Sequence, residues 1–266
     1  MAGLNALAQG GVHGSLEARF EADGRLELRT RSPLELRGPF ARDDGPALYY
    51  LRNVTAGIFA NDRYEVALVT QPGTRVQVAS PSATRAYIAE APACVSTRVE
   101  ALPGSHLVWG PHATILQAGA NLIQRTSVVV HEGASLIAAE VLSFGRLASG
   151  ERLTFSSYES EVTVESAERG LQYEERYLLQ PDGALEAALG GHGALVCVYA
   201  LGYDAVPELL SACPGASYAG SSALPNRAGF VVKALVASVS SGLAVCEAVL
   251  AGLWAVTDMS AEPVTP

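Results

Sequence analysis

Thirteen residues near the middle of the chain combine charge and glycine in an otherwise apolar stretch: Glu140-Val141-Leu142-Ser143-Phe144-Gly145-Arg146-Leu147-Ala148-Ser149-Gly150-Glu151-Arg152. Carboxylates at 140 and 151 and guanidinium groups at 146 and 152 can pair into a partly buried network. The glycines at 145 and 150 permit positive φ or close backbone approach. Such a segment is either a structural charge network or a rim that faces a partner or conducts an ion.

Other chemistry is sparse. The histidines, His13, His106, His112, His131 and His192, form no HxH or HxxxH pair. A permanent metal centre needs three or four ligands held together. The residues therefore read as scattered surface or hydrogen-bonded histidines, and no permanent metal site is expected. Transient passage of a metal remains open, because isolated carboxylates and carbonyls bind weakly enough to release it. The cysteines, Cys94, Cys197, Cys213 and Cys246, are far apart with no CxxC pair and read as reduced, buried thiols. The only lysine, Lys233, sits in Val231-Val232-Lys233-Ala234, so there is no phosphate-binding Walker loop. No GxSxG elbow, GxGxxG fingerprint or HExxH helix occurs. No catalytic residue and no enzymatic activity are expected.

The balance of residue types narrows the remaining choices. Of 266 residues, 49 % are hydrophobic and only 17 % charged, against roughly 25 % charged in a typical soluble domain. Mean hydropathy is +0.21. A sheet structure buried on two sides, or a surface covered by partners, would account for this. The formal net charge of −9 and the absence of a basic patch argue against nucleic acid. Met1 to Gly11 has neither a charged start nor a long apolar core, so no secretory signal is expected and the cytoplasm is the expected location.

These residues need elements to position them. From Gly14 to about Tyr177 the chain reads strand, turn, strand. Arg25-Leu26-Glu27-Leu28-Arg29 and Glu161-Val162-Thr163-Val164-Glu165 alternate with the period of half-buried strands. Asp23-Gly24 and Pro72-Gly73 are turns, and Asp43-Asp44-Gly45-Pro46 is a longer loop. There is also an internal echo. Gln71-Pro72-Gly73-Thr74-Arg75-Val76-Gln77-Val78 returns as Leu102-Pro103-Gly104-Ser105-His106-Leu107-Val108-Trp109, and more weakly as His131-Glu132-Gly133-Ala134-Ser135-Leu136-Ile137. Pro81-Ser82-Ala83-Thr84 returns as Pro111-His112-Ala113-Thr114. Stacked β layers, as in a solenoid, would produce this, and so would an ordinary sandwich with Pro-Gly turns.

Farther along, Pro181-Asp182-Gly183 reads as a turn, Gly190-Gly191-His192-Gly193 as a flexible loop and Ala194 to Leu201 as a strand. Gly202 to Arg227 reads as a loop with a short helix near Val206 to Leu210. From Ala234 to Val256 the apolar residues recur with helical spacing. Ser238, Ser240, Ser241 and Glu247 make a poor membrane span, so this is expected to be a buried C-terminal helix. No linker divides the chain. The expectation is one domain over 1–266, mainly β, of stacked β-helix-like layers, with a flexible start at 1–10 and a C-terminal α-helix.

The segment around Glu140 resembles the E…GR-A-GE motif of the UreD/UreH urease accessory proteins, through Glu140, Gly145, Arg146, Ala148, Gly150 and Glu151. Asn53 to Arg63 is similar to the family's N-T-G-G-I-F-G-G-D-R stretch, Ala79 to Tyr87 to its T-T-Q-A-A-T-K-V-Y, and Pro33-Leu34 through Pro39-Phe40 to its PL…RPF. Departures are Ala56, Ala60 and Asn61 for glycines, Pro81 for glutamine and Arg85 for lysine; they bear on the loop around Asp62. The resemblance implies a scaffold that assists nickel delivery to urease. Its implied partners are UreF, UreG through UreF, and apo-urease, with a dimer inside that complex and no membrane. It also implies an internal tunnel and transient nickel(II). On the same ground Asp62 and Glu140 are expected on a nickel route, with Ser82 and Thr84 lining it. Arg146 and Glu151 are expected to be structural or partner-facing. Competing readings are a structural β-repeat protein without a metal role and a β-solenoid polysaccharide hydrolase or lyase. The latter usually clusters its carboxylates on a sheet face, whereas here they are dispersed.

Overall fold

The computed structural model describes residues 10–40, 45–203 and 216–260, with side chains described as far as Leu253. The expected flexible start falls outside these residues except for Gly10. The short helix at Val206 to Leu210, Cys213, and Asp43 and Asp44 of the expected loop also lie outside them.

The strands are β1 (His13–Phe20), β2 (Leu26–Arg31), β3 (Leu34–Phe40), β4 (Ala47–Asn53), β5 (Arg63–Thr70), β6 (Arg75–Ala79), β7 (Thr84–Ala86), β8 (Ala93–Ala101), β9 (His106–Leu116), β10 (Asn121–Val130), β11 (Ser135–Ser143), β12 (Ser157–Ser166), β13 (Gly170–Leu179), β14 (Ala194–Leu201), β15 (Ala216–Ala223) and β16 (Gly229–Val236). Two α-helices, α1 (Gly183–Leu189) and α2 (Val239–Ser260), and short 3-10 turns at Leu147–Ser149 and Pro225–Arg227 complete the described elements. One sheet runs β13-β12-β10-β8-β5-β1-β2; the other runs β15-β16-β14-β11-β9-β6-β4-β3, with β7 added on β9.

From β5 to β12 the chain passes alternately between the sheets, with β6 and the short β7 both on the second. Each strand lies parallel to its neighbours from the layers before and after, as in β5 with β8, β8 with β10, β6 with β9 and β9 with β11. The sequence echo is this arrangement: Arg75 pairs with His106, His106 with Ser135, and Thr84 with Thr114. Antiparallel strands close the stack, β2 and β13 on the first sheet, β3 and the β14-β16-β15 group on the second.

Two apolar cores hold three layers together. One fills the space between the sheets, with Leu16, Leu68, Leu122, Leu136, Phe144 and Tyr158. The other lies between the second sheet and α2, where Val141, Val196 and Phe230 meet Val245, Val249 and Leu253. The central strands of the second sheet are thus buried on both faces, which accounts for the high apolar content. Helix and sheet approach closely at Gly242, where a Cβ would stand 2.6 Å from Val141 Cγ1.

Several sequence expectations need correction. The expected helix from Ala234 begins at Val239, because residues through Val236 belong to β16. Phe230, Val232, Ala234 and Val236 face α2, while Val231 and Leu235 face the inter-sheet core. A strand buried on both faces has a continuous apolar run that periodicity cannot tell from a helix. Ser238 Oγ accepts from Ser241 N–H and starts the true helix. Asp182 is a helix cap rather than a turn residue, its Oδ1 accepting from Leu185 N–H at 2.7 Å at the start of α1. Ala216–Ala223 is a strand within the expected loop; as an edge it needs only β16 beside it. The segment at Leu26 is a strand, as read, but an exposed one, with Leu28 uncovered. β12 alternates buried and half-buried along its whole length, as expected. Cys197 and Cys246 are buried thiols outside any disulfide, and Cys94 is a half-buried one.

Candidate functional site

Strand β9 carries a bulge. Ala138 of β11 pairs with Trp109, but Glu140 pairs with His112, so β9 holds one extra residue over the same span. In a regular strand, residues 109 and 112 would point to opposite faces. The bulge reverses that parity, and both rings face a cavity of about 90 Å³ between the sheets. Their centroids are 3.9 Å apart. Glu140, Gln124, Tyr64, Thr97, Asn53 and Thr84 also line this space.

Glu140 reaches across from the second sheet to the first. Its Oε1 accepts from Gln124 Nε2 at 2.8 Å and from Thr126 Oγ1 at 3.5 Å. Burial pushes its pKa up to about 7, against the downward pull of those two bonds. His112 Nδ1 is 2.7 Å from Ser80 Oγ. Burial drives its pKa down to about 3, against the nearby Val78 carbonyl, so the ring is neutral. Among the described residues, the buried side-chain nitrogens without a hydrogen-bond partner are Gln71 Nε2, Trp109 Nε1, His112 Nε2 and Arg152 Nη2. The tryptophan and the histidine both line this cavity.

The expected site residues fall into three groups. Thr84 and Glu140 line the cavity together. Ser82 and Thr84 line a neighbouring groove of about 410 Å³, and Leu51, Asn53, Ser80 and Thr84 belong to both spaces. Asp62 lines neither. It is 2 % exposed. Its Oδ1 accepts from Val12 N–H at 2.8 Å, and its Oδ2 from Phe59 N–H at 2.9 Å and Tyr64 O–H at 2.8 Å. It thus touches the cavity through Tyr64, whose pKa is pushed up to about 12 by burial and by that bond. Beside it Asn61 adopts φ of 64°, a conformation asparagine tolerates better than other non-glycine residues. Its presence where the UreD/UreH motif has glycine is therefore accommodated.

Arg146 and Glu151 bind each other, Arg146 Nε to Glu151 Oε2 at 2.6 Å, while Glu151 Oε1 accepts from Ala118 N–H. The pair closes the loop that starts at Gly145, which has φ of 148° and where a Cβ would lie 2.2 Å from the Glu151 carbonyl oxygen. Neither residue lines the cavity or the groove. Residue pattern alone does not single out His112, Trp109, Gln124 or Tyr64 as site residues. The echo of Pro81-Ser82-Ala83-Thr84 in Pro111-His112-Ala113-Thr114 was the available signal, because it marks residues stacked in adjacent layers. Among the described residues no group of three or more His, Cys, Asp or Glu side chains is placed to hold a metal, and no helix is long and apolar enough to cross a membrane.

Comparison with known proteins gives a consistent result. The family model for the UreD urease accessory protein matches residues 11–266. A urease accessory protein UreD of Pseudomonas fluorescens is 28 % identical over 250 residues, 91 % of this chain and 86 % of the relative. One from Haloarcula marismortui is 30 % identical over 247 residues, 86 % and 82 % of the two chains. A UreD 2 of Synechococcus is 35 % identical over 121 residues, 45 % and 44 % of the two.

Proposed function

We propose, from the premise that this chain belongs to the UreD family of urease accessory proteins, that its inter-sheet cavity and the adjoining groove form a route by which nickel(II) passes toward apo-urease. As a member of that family the chain is a non-enzymatic accessory protein of urease maturation. The observation that carries the route is the set of shared lining residues. Leu51, Asn53, Ser80 and Thr84 border both the groove at Ser82 and the cavity at Glu140. Oxygen donors spaced along such a path suit a cation that must be released again.

Arg52 and Arg85 also line the groove. Their positive charge disfavours capture of a bare cation from solution, so the metal is handed over by a docked partner. UreF, bringing UreG, and apo-urease are the partners in this reading, with two copies of the chain meeting inside the complex. Exposed Val54 and Phe59, in the segment that walls the groove, and exposed Ile88 beyond Arg85 supply apolar surface for such docking. Asp62 shapes the loop at this mouth, and Arg146 with Glu151 fixes a second loop against the stack. The alternation of parallel strands between the sheets supports one domain of β-helix-like layers.

Thr84→Trp tests the route, because an indole at a residue common to both spaces would plug it. With the partners co-expressed, urease should be recovered as protein but without nickel, while the accessory complex still co-purifies. Full nickel loading would refute the route.

A further inference from the structure

We propose that His112 and Glu140 together form a two-donor waypoint for a borderline divalent cation of the nickel(II) class, with the imidazole Nε2 and the carboxylate supplied by register partners on adjacent strands. The inference rests on the route reading and adds to it a nitrogen donor and a chemical selectivity.

The geometry is specific. The tautomer in which Nδ1–H donates to Ser80 Oγ places the lone pair of His112 on Nε2. That atom is buried, has no hydrogen-bond partner and belongs to a side chain lining the cavity. A histidine held through one nitrogen with the other free is the arrangement in which the ring ligates metals. Glu140 is its partner across the β9–β11 pairing. The hydrogen bonds that Glu140 receives both fall on Oε1, which leaves Oε2 for a cation. No lysine or arginine pairs with it among the described residues, so a bound cation would supply the missing countercharge. The space, about 90 Å³, holds about three waters at the volume each takes in the liquid, which can serve as further ligands beside the two protein donors.

One imidazole and one carboxylate are too few for a permanent centre and suit passage. The nitrogen donor favours nickel, cobalt or zinc over magnesium or calcium. The bulge in β9 explains why this pair exists, since it turns His112 to the same side as Glu140.

Trp109 provides the readout, its ring lying 3.9 Å from that of His112. In tag-free full-length protein carrying Trp254→Phe, it is the sole tryptophan. Nickel(II) should quench its fluorescence saturably with one ion per chain, while magnesium(II) should not. His112→Gln and Glu140→Gln should each weaken the nickel midpoint by at least about tenfold. Independently of any substitution, nickel(II) should broaden the His112 ring resonances in ¹⁵N-labelled protein. Absence of saturable quenching, an unchanged midpoint in His112→Gln, or sharp His112 resonances at saturating nickel would overturn the proposal. If Glu140→Gln alone blocks binding and nickel loading of urease, the route stands and the histidine donor falls. If Thr84→Trp leaves loading intact, the route itself has failed.

Discussion

Two carboxylates in the space between the sheets have opposite electrostatics. Glu175 of β13 receives the phenols of Tyr173 and Tyr199 on Oε2, at 2.9 and 2.6 Å, and pairs through Oε1 with the ammonium of Lys233. Burial alone would raise its pKa, but Lys233 and the phenols leave it below the ordinary carboxylate value. Among the described residues Glu140 has an amide and a hydroxyl as partners and no cation, and burial carries it up to about 7. Burial by itself therefore does not decide whether a buried acid is structural. Glu175 is locked in a satisfied knot, while Glu140 faces a cavity with unspent bonding capacity. Asp62 resembles the first kind, with three donors on its two oxygens.

The contrast can be broken most forcefully at Glu175. Glu175→Gln removes the charge partner of Lys233, whose side chain is still 37 % exposed, and should cost about 2 kcal/mol in urea unfolding at pH 7. A depressed folded pKa contributes stability that is present above the unfolded value of 4.5 and lost as pH falls through the folded one. The variant should lack that part of the acid limb.

Glu140→Gln should act in the opposite direction. Its raised pKa means the folded state keeps the proton longer, so wild-type stability is fullest below pH 4.5 and falls as pH rises through about 7. The amide should gain about 2 kcal/mol at pH 8, and the gain should vanish in acid. A loss of stability at pH 8 would erase the distinction between the two sites. Tyr199→Phe should cost about 1 kcal/mol by removing one donor to Glu175, with no effect on nickel binding. Arg146→Ala, at a half-exposed ion pair, should change thermal stability by less than about 1 kcal/mol.

Much of the framework could be read directly from residue patterns. The alternation at Glu161 to Glu165 marked β12, the echoes marked strands that do pair in register, and Ala194 to Leu201 marked β14. The site was only half legible. Glu140 and Thr84 stood out through family resemblance, but His112 did not, because period-two reasoning assumes an unbroken strand. One extra residue near Gly110 and Pro111 inverts the parity, and only the pairing with β11 reveals it. The first five residues of the expected C-terminal helix failed for a related reason: a strand covered on both sides has no polar face to give its period away. The seven residues of α1 are too few to display a helical stripe, and their cap looked like any Asp-Gly turn.

The close seat of α2 on β11 makes the cavity's capacity a shared property of three layers. Strand β11 is a wall one strand thick: Ala139 and Val141 face the helix, while Ala138 and Glu140 face inward. With Gly242 already set against Val141, a bulkier residue on that turn of the helix has nowhere to go except against the wall. A change on the outer surface of the sheet would then be felt as lost volume on its inner side. The size of the residue at 242 and the room around Glu140 are in effect one variable, written at two distant places in the chain.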